Sequence, residues 1–140
     1  MTNLQVSIHN NIIYDGEIIP LKYTQELPKI NFTKHNSDKY TIIMVDPDAP
    51  SRKNPIYKYF LHWLIINNNE IIMDFTPPAP PKNSGPHRYF IFVLKQNKLL
   101  NSSSIKINNK MKREKFNLAE FIADNDLEII DSKHFITKNK

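Results

Sequence analysis

An aspartate and two histidines stand where the residues around them call for something else. Asp46 closes the apolar run Tyr40–Val45, His62 interrupts the run Tyr59–Ile66, and His87 precedes the run Tyr89–Leu94 with Arg88 beside it. An imidazole inside an apolar strand must find hydrogen-bond partners or line a cavity, because an unpaired polar group is costly to bury. Taken singly, each residue has an ordinary reading. His62 is then a hydrogen-bonded core histidine, Asp46-Pro47 starts a turn, and Lys82-Asn83-Ser84-Gly85 is a turn. Taken together, two imidazoles and a carboxylate can move a proton, bond a charged ligand or ligate a metal. Two His and one Asp match the ligand number of a facial-triad metal site. The chain has no Cys, however, and no substrate motif accompanies the set, so neither a metal nor a cofactor is expected. A serine nucleophile has no Gly-x-Ser-x-Gly elbow to sit on.

The elements that must position these residues are strands and stiff loops. Lys29–Thr33, Tyr40–Val45, Tyr59–Ile66, Glu70–Met73 and Tyr89–Leu94 read as strands from their β-branched and aromatic content. The three strongest runs are continuous rather than alternating, which predicts central strands covered on both faces. Asn67-Asn68-Asn69 predicts a hairpin turn that makes Glu70–Met73 the partner of the preceding strand Tyr59–Ile66. One late helix is expected: Asn117 caps its start, Glu120 follows three residues later, and Leu118, Phe121 and Ile122 share a face. A last strand is expected at Leu127–Ile130 or His134–Thr137. Many short strands with one helix predict a mainly β sandwich or closed β architecture. Ten Pro stand against two Gly. The prolines gather in Asp46–Pro55 and in Pro77–Pro86, each abutting a strong strand. Proline fixes φ and removes a donor, so these loops end the strands and hold their shape.

Composition bounds the rest. The chain has 140 residues, 40% of them hydrophobic, with eight Phe, six Tyr and one Trp, enough for one folded domain over residues 1–140. The absence of Cys excludes disulfides and thiolate chemistry and fits a cytoplasmic setting. No run approaches the ~18 apolar residues that span a bilayer, and the N-terminus lacks a secretory pattern. Asn31-Phe32-Thr33 and Asn101-Ser102-Ser103 match the glycosylation pattern by coincidence in an Asn-rich chain. The net charge of +5 is spread along the sequence. Its densest cluster, Lys110-Met111-Lys112-Arg113-Glu114-Lys115, is too short and mixed for a nucleic-acid footprint.

Two motifs in register carry a resemblance. Asp46-Pro47-Asp48-Ala49-Pro50-Ser51-Arg52 and Gly85-Pro86-His87-Arg88-Tyr89, with His62 between them, resemble the two signatures of the phosphatidylethanolamine-binding (Raf kinase inhibitor) proteins. The likeness is strong from Tyr40 to Leu94 and continues weakly through Lys115–Phe121. It implies an antiparallel β-sandwich with a small anion pocket. The pocket's central groups would be Asp46, His62 and His87, with Tyr89 beside them, Pro50, Pro80 and Pro81 as walls, and Phe116 near the rim. Phosphate and phosphorylethanolamine are the ligands implied. The imidazole N–H groups and the phenol would donate to the anion, and the carboxylate would orient a histidine or face an ammonium group.

The resemblance also implies a non-catalytic, regulatory or scaffolding binder. Its partners would be a phosphate-bearing small molecule or phospholipid head group, with peripheral membrane contact and no nucleic acid. The alternative is a kinase or protease inhibitor acting through protein–protein contact. Ala79, Phe60 and Leu61 depart from residues common in the family, a Gly, a Trp and a second His. The end of the chain at Lys140 suggests a short form without the C-terminal helix that borders the pocket in larger members. Changing His87 to Ala is expected to abolish binding with the fold intact.

Overall fold

The computed structural model describes residues 2–109 and 112–140, with the side chains of 106–109 excepted. Lys110 and Met111, the head of the basic cluster, lie outside the described residues. The architecture is mainly β. The strands are β1 (Gln5–Ile8), β2 (Asn11–Ile12), β3 (Glu17–Ile18), β4 (Lys29–Asn31), β5 (Lys39–Asp46), β6 (Phe60–Ile66), β7 (Glu70–Met73), β8 (His87–Gln96) and β9 (Leu127–Thr137). A 3-10 turn at Leu21–Thr24 and the helices α1 (Ser102–Asn109) and α2 (Leu118–Asp124) complete the fold. Two sheets form: a small one ordered β2-β1-β4 and a six-stranded one ordered β3-β9-β8-β5-β6-β7. β5 runs antiparallel to both β8 and β6 at the centre of the larger sheet.

The continuous apolar runs are explained by what covers them. On one face of β5, Tyr40, Ile42 and Met44 join Val6, Ile8, Trp63, Tyr89, Ile91, Val93 and Phe135 in a first core. On the other face, Ile43 and Val45 join Leu61, Leu64, Ile66, Leu94, Leu100, Ile105, Phe116, Leu118 and Phe121 in a second core, closed by residues of α1 and α2. A strand buried on both sides needs no polar face, so alternation disappears. Among the described residues, no helix is long and apolar enough to cross a membrane.

Three expectations need correction. There are two helices, not one. α1 hides in a Ser-rich stretch with little apolar periodicity, and its start is fixed by Asn101, whose Oδ1 accepts the Ser104 amide at 3.0 Å. That asparagine, read as part of a chance glycosylation pattern, does the work of a cap. The sheet is also not wholly antiparallel, because β3 runs parallel to β9 at its edge. Finally, the two stretches proposed for the last strand are one strand, β9, which pairs with all of β8 from His87↔Thr137 to Gln96↔Leu127.

α2 starts as its sequence predicts. Asn117 Oδ1 accepts the Glu120 amide at 3.0 Å, and the two side chains meet at 3.3 Å. An Asn117→Ala variant is expected to lose about 1 kcal/mol. Chemical denaturation checks this, and an unchanged midpoint would contradict it.

Candidate functional site

Three chain segments converge at one end of the large sheet. Asp46 is the last residue of β5 and His87 the first of β8, so strand endings place them side by side. His62 arrives differently. Register passes from Met44 opposite Trp63 to Val45 opposite Leu61, which leaves His62 over as the extra residue of a β-bulge. A bulge re-aims the side chain it carries. Here it brings the His62 ring edge-on to Tyr89, with centroids 5.2 Å apart, and 4.8 Å from the ring of Phe60. Arg113 fastens the bulge from behind: its guanidinium donates to the carbonyls of Leu61 (3.0 Å), His62 (3.2 Å) and Asp74 (2.7 Å).

The floor is a tight network. His87 Nδ1 donates to Asp46 Oδ2 at 2.7 Å, since the carboxylate can only accept. Asp46 Oδ1 accepts the Asp48 amide at 2.6 Å. His87 Nε2 meets Ser84 Oγ at 3.0 Å, and that hydroxyl also donates to the Pro81 carbonyl at 2.6 Å. Gly85 turns the chain into β8 with φ +81°, a left-handed conformation that strains any side-chain-bearing residue. The Tyr89 ring is stacked with those of His87 and Phe135, with centroids at 6.2 and 5.3 Å.

A second pair runs parallel to Asp46–His87. Asp48, 1% exposed, accepts the backbone N–H of Arg88 (2.8 Å) and its Nε (2.9 Å) and Nη2 (2.8 Å). Burial alone would raise the Asp48 pKa. The Arg88 bonds and the charges of Arg88 and Arg52 outweigh it and hold the carboxyl below its ordinary value. The two signature motifs are thus tied together twice, once at the floor and once behind it.

His62 carries the distinctive electrostatics. Its Nδ1 lies 2.7 Å from the Thr76 carbonyl, which only accepts, so Nδ1 bears the proton. Burial pushes its pKa down to about 4, against the smaller raising effects of the Thr76 bond and the Asp46 charge. The ring is therefore neutral near pH 7, and Nε2 presents a lone pair. Among the described residues, the one buried side-chain polar atom without a partner is Thr137 Oγ1. His62 Nε2, which also lacks a protein partner, therefore meets open space. For Tyr89, burial first, then the Asp46 and Asp48 charges, push the phenol well above its usual value and keep it protonated.

Together these residues enclose a hollow of about 200 Å³ lined by Asp46, Ala49, Pro50, Tyr57, Phe60, His62, Thr76, Pro77, Ala79, Pro80, Pro81, His87 and Tyr89. Of the eight residues singled out in the sequence, seven line it. Phe116 does not. It is 8% exposed, packs its ring on Phe121 at 5.4 Å inside the second core, and borders a neighbouring depression instead. The main-chain pairing of Phe116 N with Tyr59 O at 2.8 Å holds it there. The expectation that both imidazoles donate freely also fails. The one N–H of His62 is spent on Thr76, and both nitrogens of His87 are engaged within the protein. Sequence reasoning missed Tyr57 and Thr76, two hydroxyl-bearing residues of the lining, and the roles of Asp48 and Arg113. Among the described residues, no cluster of His, Asp and Glu is placed to hold a metal ion. The Ala49–Pro50 bond is cis, as is the non-proline bond Lys58–Tyr59.

A β-sandwich with its second face covered by helices, and a small hollow where its central strands end against proline loops, define the class of fold. The family model described as phosphatidylethanolamine-binding protein matches residues 9–71 and 67–135. A phosphatidylethanolamine-binding protein homolog of Acanthamoeba polyphaga mimivirus is 51% identical over 139 residues, covering 97% of each chain. The chain belongs to the phosphatidylethanolamine-binding protein family. Its fold is similar to that of a carboxypeptidase Y inhibitor solved with its cognate proteinase, with a TM-score of 0.79 and 23% identity over 98% of this chain and 83% of that one. It is equally similar to a phosphatidylethanolamine-binding protein from Plasmodium vivax, with a TM-score of 0.79 and 21% identity over all of this chain and 86% of that one.

Proposed function

We propose that this chain binds small phosphate-bearing molecules, phosphorylethanolamine among them, in the hollow around Asp46, His62 and His87, as a non-catalytic regulatory or scaffolding module. The observation that carries the reading is the hollow's size together with its fixed polar floor. At about 200 Å³ it lies below the ~300–1,000 Å³ of pockets that engulf drug-sized ligands. A phosphate with a short substituent suits that volume, whereas acyl chains would remain in water. Thr76 and Tyr57 on the lining carry hydroxyls able to act as neutral donors, and Asp46 carries an acceptor for an ammonium end. The hollow is small, so a ligand buries little area in it and affinity is modest. The nucleic-acid reading gains nothing from these groups, and a cytoplasmic setting remains the one we favour.

Titration with phosphorylethanolamine tests the proposal by NMR. The first signals to move are expected to be those of His62, Thr76, His87 and Tyr89. An Ala79→Leu variant, which fills the hollow from an exposed loop, is expected to weaken binding at least tenfold with stability unchanged. Equal binding by that variant, or first shifts in another region, would refute the assignment.

A second reading is inhibition of a protease or kinase through protein contact. It is favoured by Ile56 and Tyr57, 52% and 40% exposed on the proline loop beside the hollow. A protease pull-down that survives Ala79→Leu but is lost with Ile56→Asp would favour it.

A further inference from the structure

Ser84, His87 and Asp46 form a chain of hydrogen-bonding groups that holding a phosphate does not require. Ser84 Oγ lies 3.0 Å from His87 Nε2, and His87 Nδ1 lies 2.7 Å from Asp46 Oδ2. A hydroxyl, an imidazole and a buried carboxylate in this order are the parts with which acyl-transfer sites activate a serine. Asp46 accepts the Nδ1 proton, so in the neutral ring Nε2 carries a lone pair. Ser84 Oγ has one proton and two acceptors within reach, the Pro81 carbonyl at 2.6 Å and His87 Nε2 at 3.0 Å. A hydroxyl proton rotates about the Cβ–Oγ bond, so the carbonyl holds it at rest without taking it out of reach of the base.

The turn presents the serine. Asn83 and Gly85, on either side of it, both have positive φ, +64° and +81°, and the Ser84 amide closes the turn on the Pro81 carbonyl at 3.1 Å. Such a tight turn does by conformation what a Gly-x-Ser-x-Gly elbow does by sequence. Ser84 is half-buried while His87 and Asp46 behind it are buried, so the chain of groups runs from the interior to the surface. A Cβ added at Gly85 would meet nothing within 4 Å, which leaves space beside the serine for a small acyl group. Among the described residues the Gly85 N–H has no partner, and the residue after the nucleophile is where acyl-transfer sites take an oxyanion donor. We propose that Ser84 is an acylation site for small activated esters, with His87 as general base and Asp46 fixing the imidazole. Ser84 Oγ bonds the carbonyl carbon, its proton passes to His87 Nε2, and the ester C–O bond breaks as that proton goes to the departing oxygen. The products are O-acyl-Ser84 and the free alcohol or phenol. One acyl group per chain is a modification rather than turnover, so it stands beside the binding role and does not depend on it.

Treating the full chain with p-nitrophenyl acetate tests the proposal, read by nitrophenolate release and by mass spectrometry of the acetylated peptides. Ser51 is the internal reference: it is a half-buried serine on the other proline loop, and its Oγ accepts the Asn54 amide at 3.1 Å. In wild-type protein Ser84 is expected to acetylate about a hundredfold faster than Ser51, the size of a general-base effect. This comparison within one molecule needs no variant to fold. Ser84→Ala is expected to lose the fast phase of nitrophenolate release. Asp46→Asn is expected to slow Ser84 to the rate of Ser51, because the amide would donate to Nδ1 and move the ring proton to Nε2, where the base is needed. Acetylation of Ser84 within threefold of Ser51 in the wild type, or an unchanged Ser84 rate in Asp46→Asn, would overturn the inference and leave the phosphate reading untouched.

Discussion

An Asp48→Ala variant is expected to be destabilised by about 3 kcal/mol, a large share of the ~5–15 kcal/mol that holds a domain of this size together. Asp48 is buried and accepts three hydrogen bonds from Arg88, one from its backbone. Removing the carboxylate leaves the Arg88 amide without its acceptor and the guanidinium without its counter-charge. Breaking a fully buried pair costs about 3–5 kcal/mol. The Arg88 side chain is 37% exposed, so part of its charge can turn to water, and the lower end of that range applies. Arg52, 3.5 Å from the same carboxylate and more exposed, adds little. An Asp48→Asn variant keeps an acceptor but loses the charge, and it should fall between wild type and Ala. Urea unfolding of the three proteins measures the series. An Asp48→Ala midpoint equal to wild type would show that the clamp contributes nothing net.

Acid is expected to weaken the fold before the carboxylates titrate, and His62 is the cause. Its folded pKa is lowered from the ordinary 6.5 to about 4. Between those values the unfolded chain binds a proton at this ring that the folded chain refuses. Stability therefore falls as pH drops from about 6.5 to about 4, by about 3 kcal/mol if this group acts alone. Asp48 adds a further loss at lower pH. Its carboxyl is depressed in the folded state, so its contribution is present above its unfolded value and disappears as pH falls through the folded one. The measurement is unfolding free energy at half-unit steps from pH 7.5 to pH 4, for wild type and for His62→Gln, which removes the titrating ring. A flattened profile in the variant is the expected result. Identical slopes would assign the acid sensitivity to other groups.

Changing His87 to Ala cannot serve as a silent probe of binding, contrary to what the sequence suggests. The ring is 1% exposed, bonded at both nitrogens and stacked on Tyr89. Its loss opens a cavity and strips Asp46 of a donor, which lowers stability together with affinity. Substitution at the wall, as with Ala79, separates the two effects.

The parts of the fold legible from sequence were those whose signal is local. β5, β6 and β8 announce themselves as apolar runs, β7 by the turn before it, and α2 by Asn117 and Glu120. The site was legible because Asp46 and His87 sit at strand ends, where a change of residue type marks a boundary. Features that depend on distant partners were not. β1, β2 and β3 are short, with no alternation long enough to read, and exist because they pair with β4 and β9. The bulge at His62 is a relation between β5 and β6. Its one trace in the sequence is a polar residue set between Leu61 and Trp63, which end on opposite faces although they stand two apart. Asp48 and Arg88 lie 40 positions apart, and neither residue names the other. Phe116 was assigned by likeness alone, and the packing of α2 moves it into the core.

Tyr89 belongs to two neighbourhoods at once, since it lines the hollow and its ring packs on Phe135 inside the first core. Inheritance should treat such a residue conservatively. Any replacement that altered recognition would also disturb the interior of the sandwich, so new ligand preferences can arise cheaply only from Tyr57, Phe60 and the Pro77–Pro81 corner. Diversity among descendants of this chain should therefore gather around the mouth, with the base handed down unaltered.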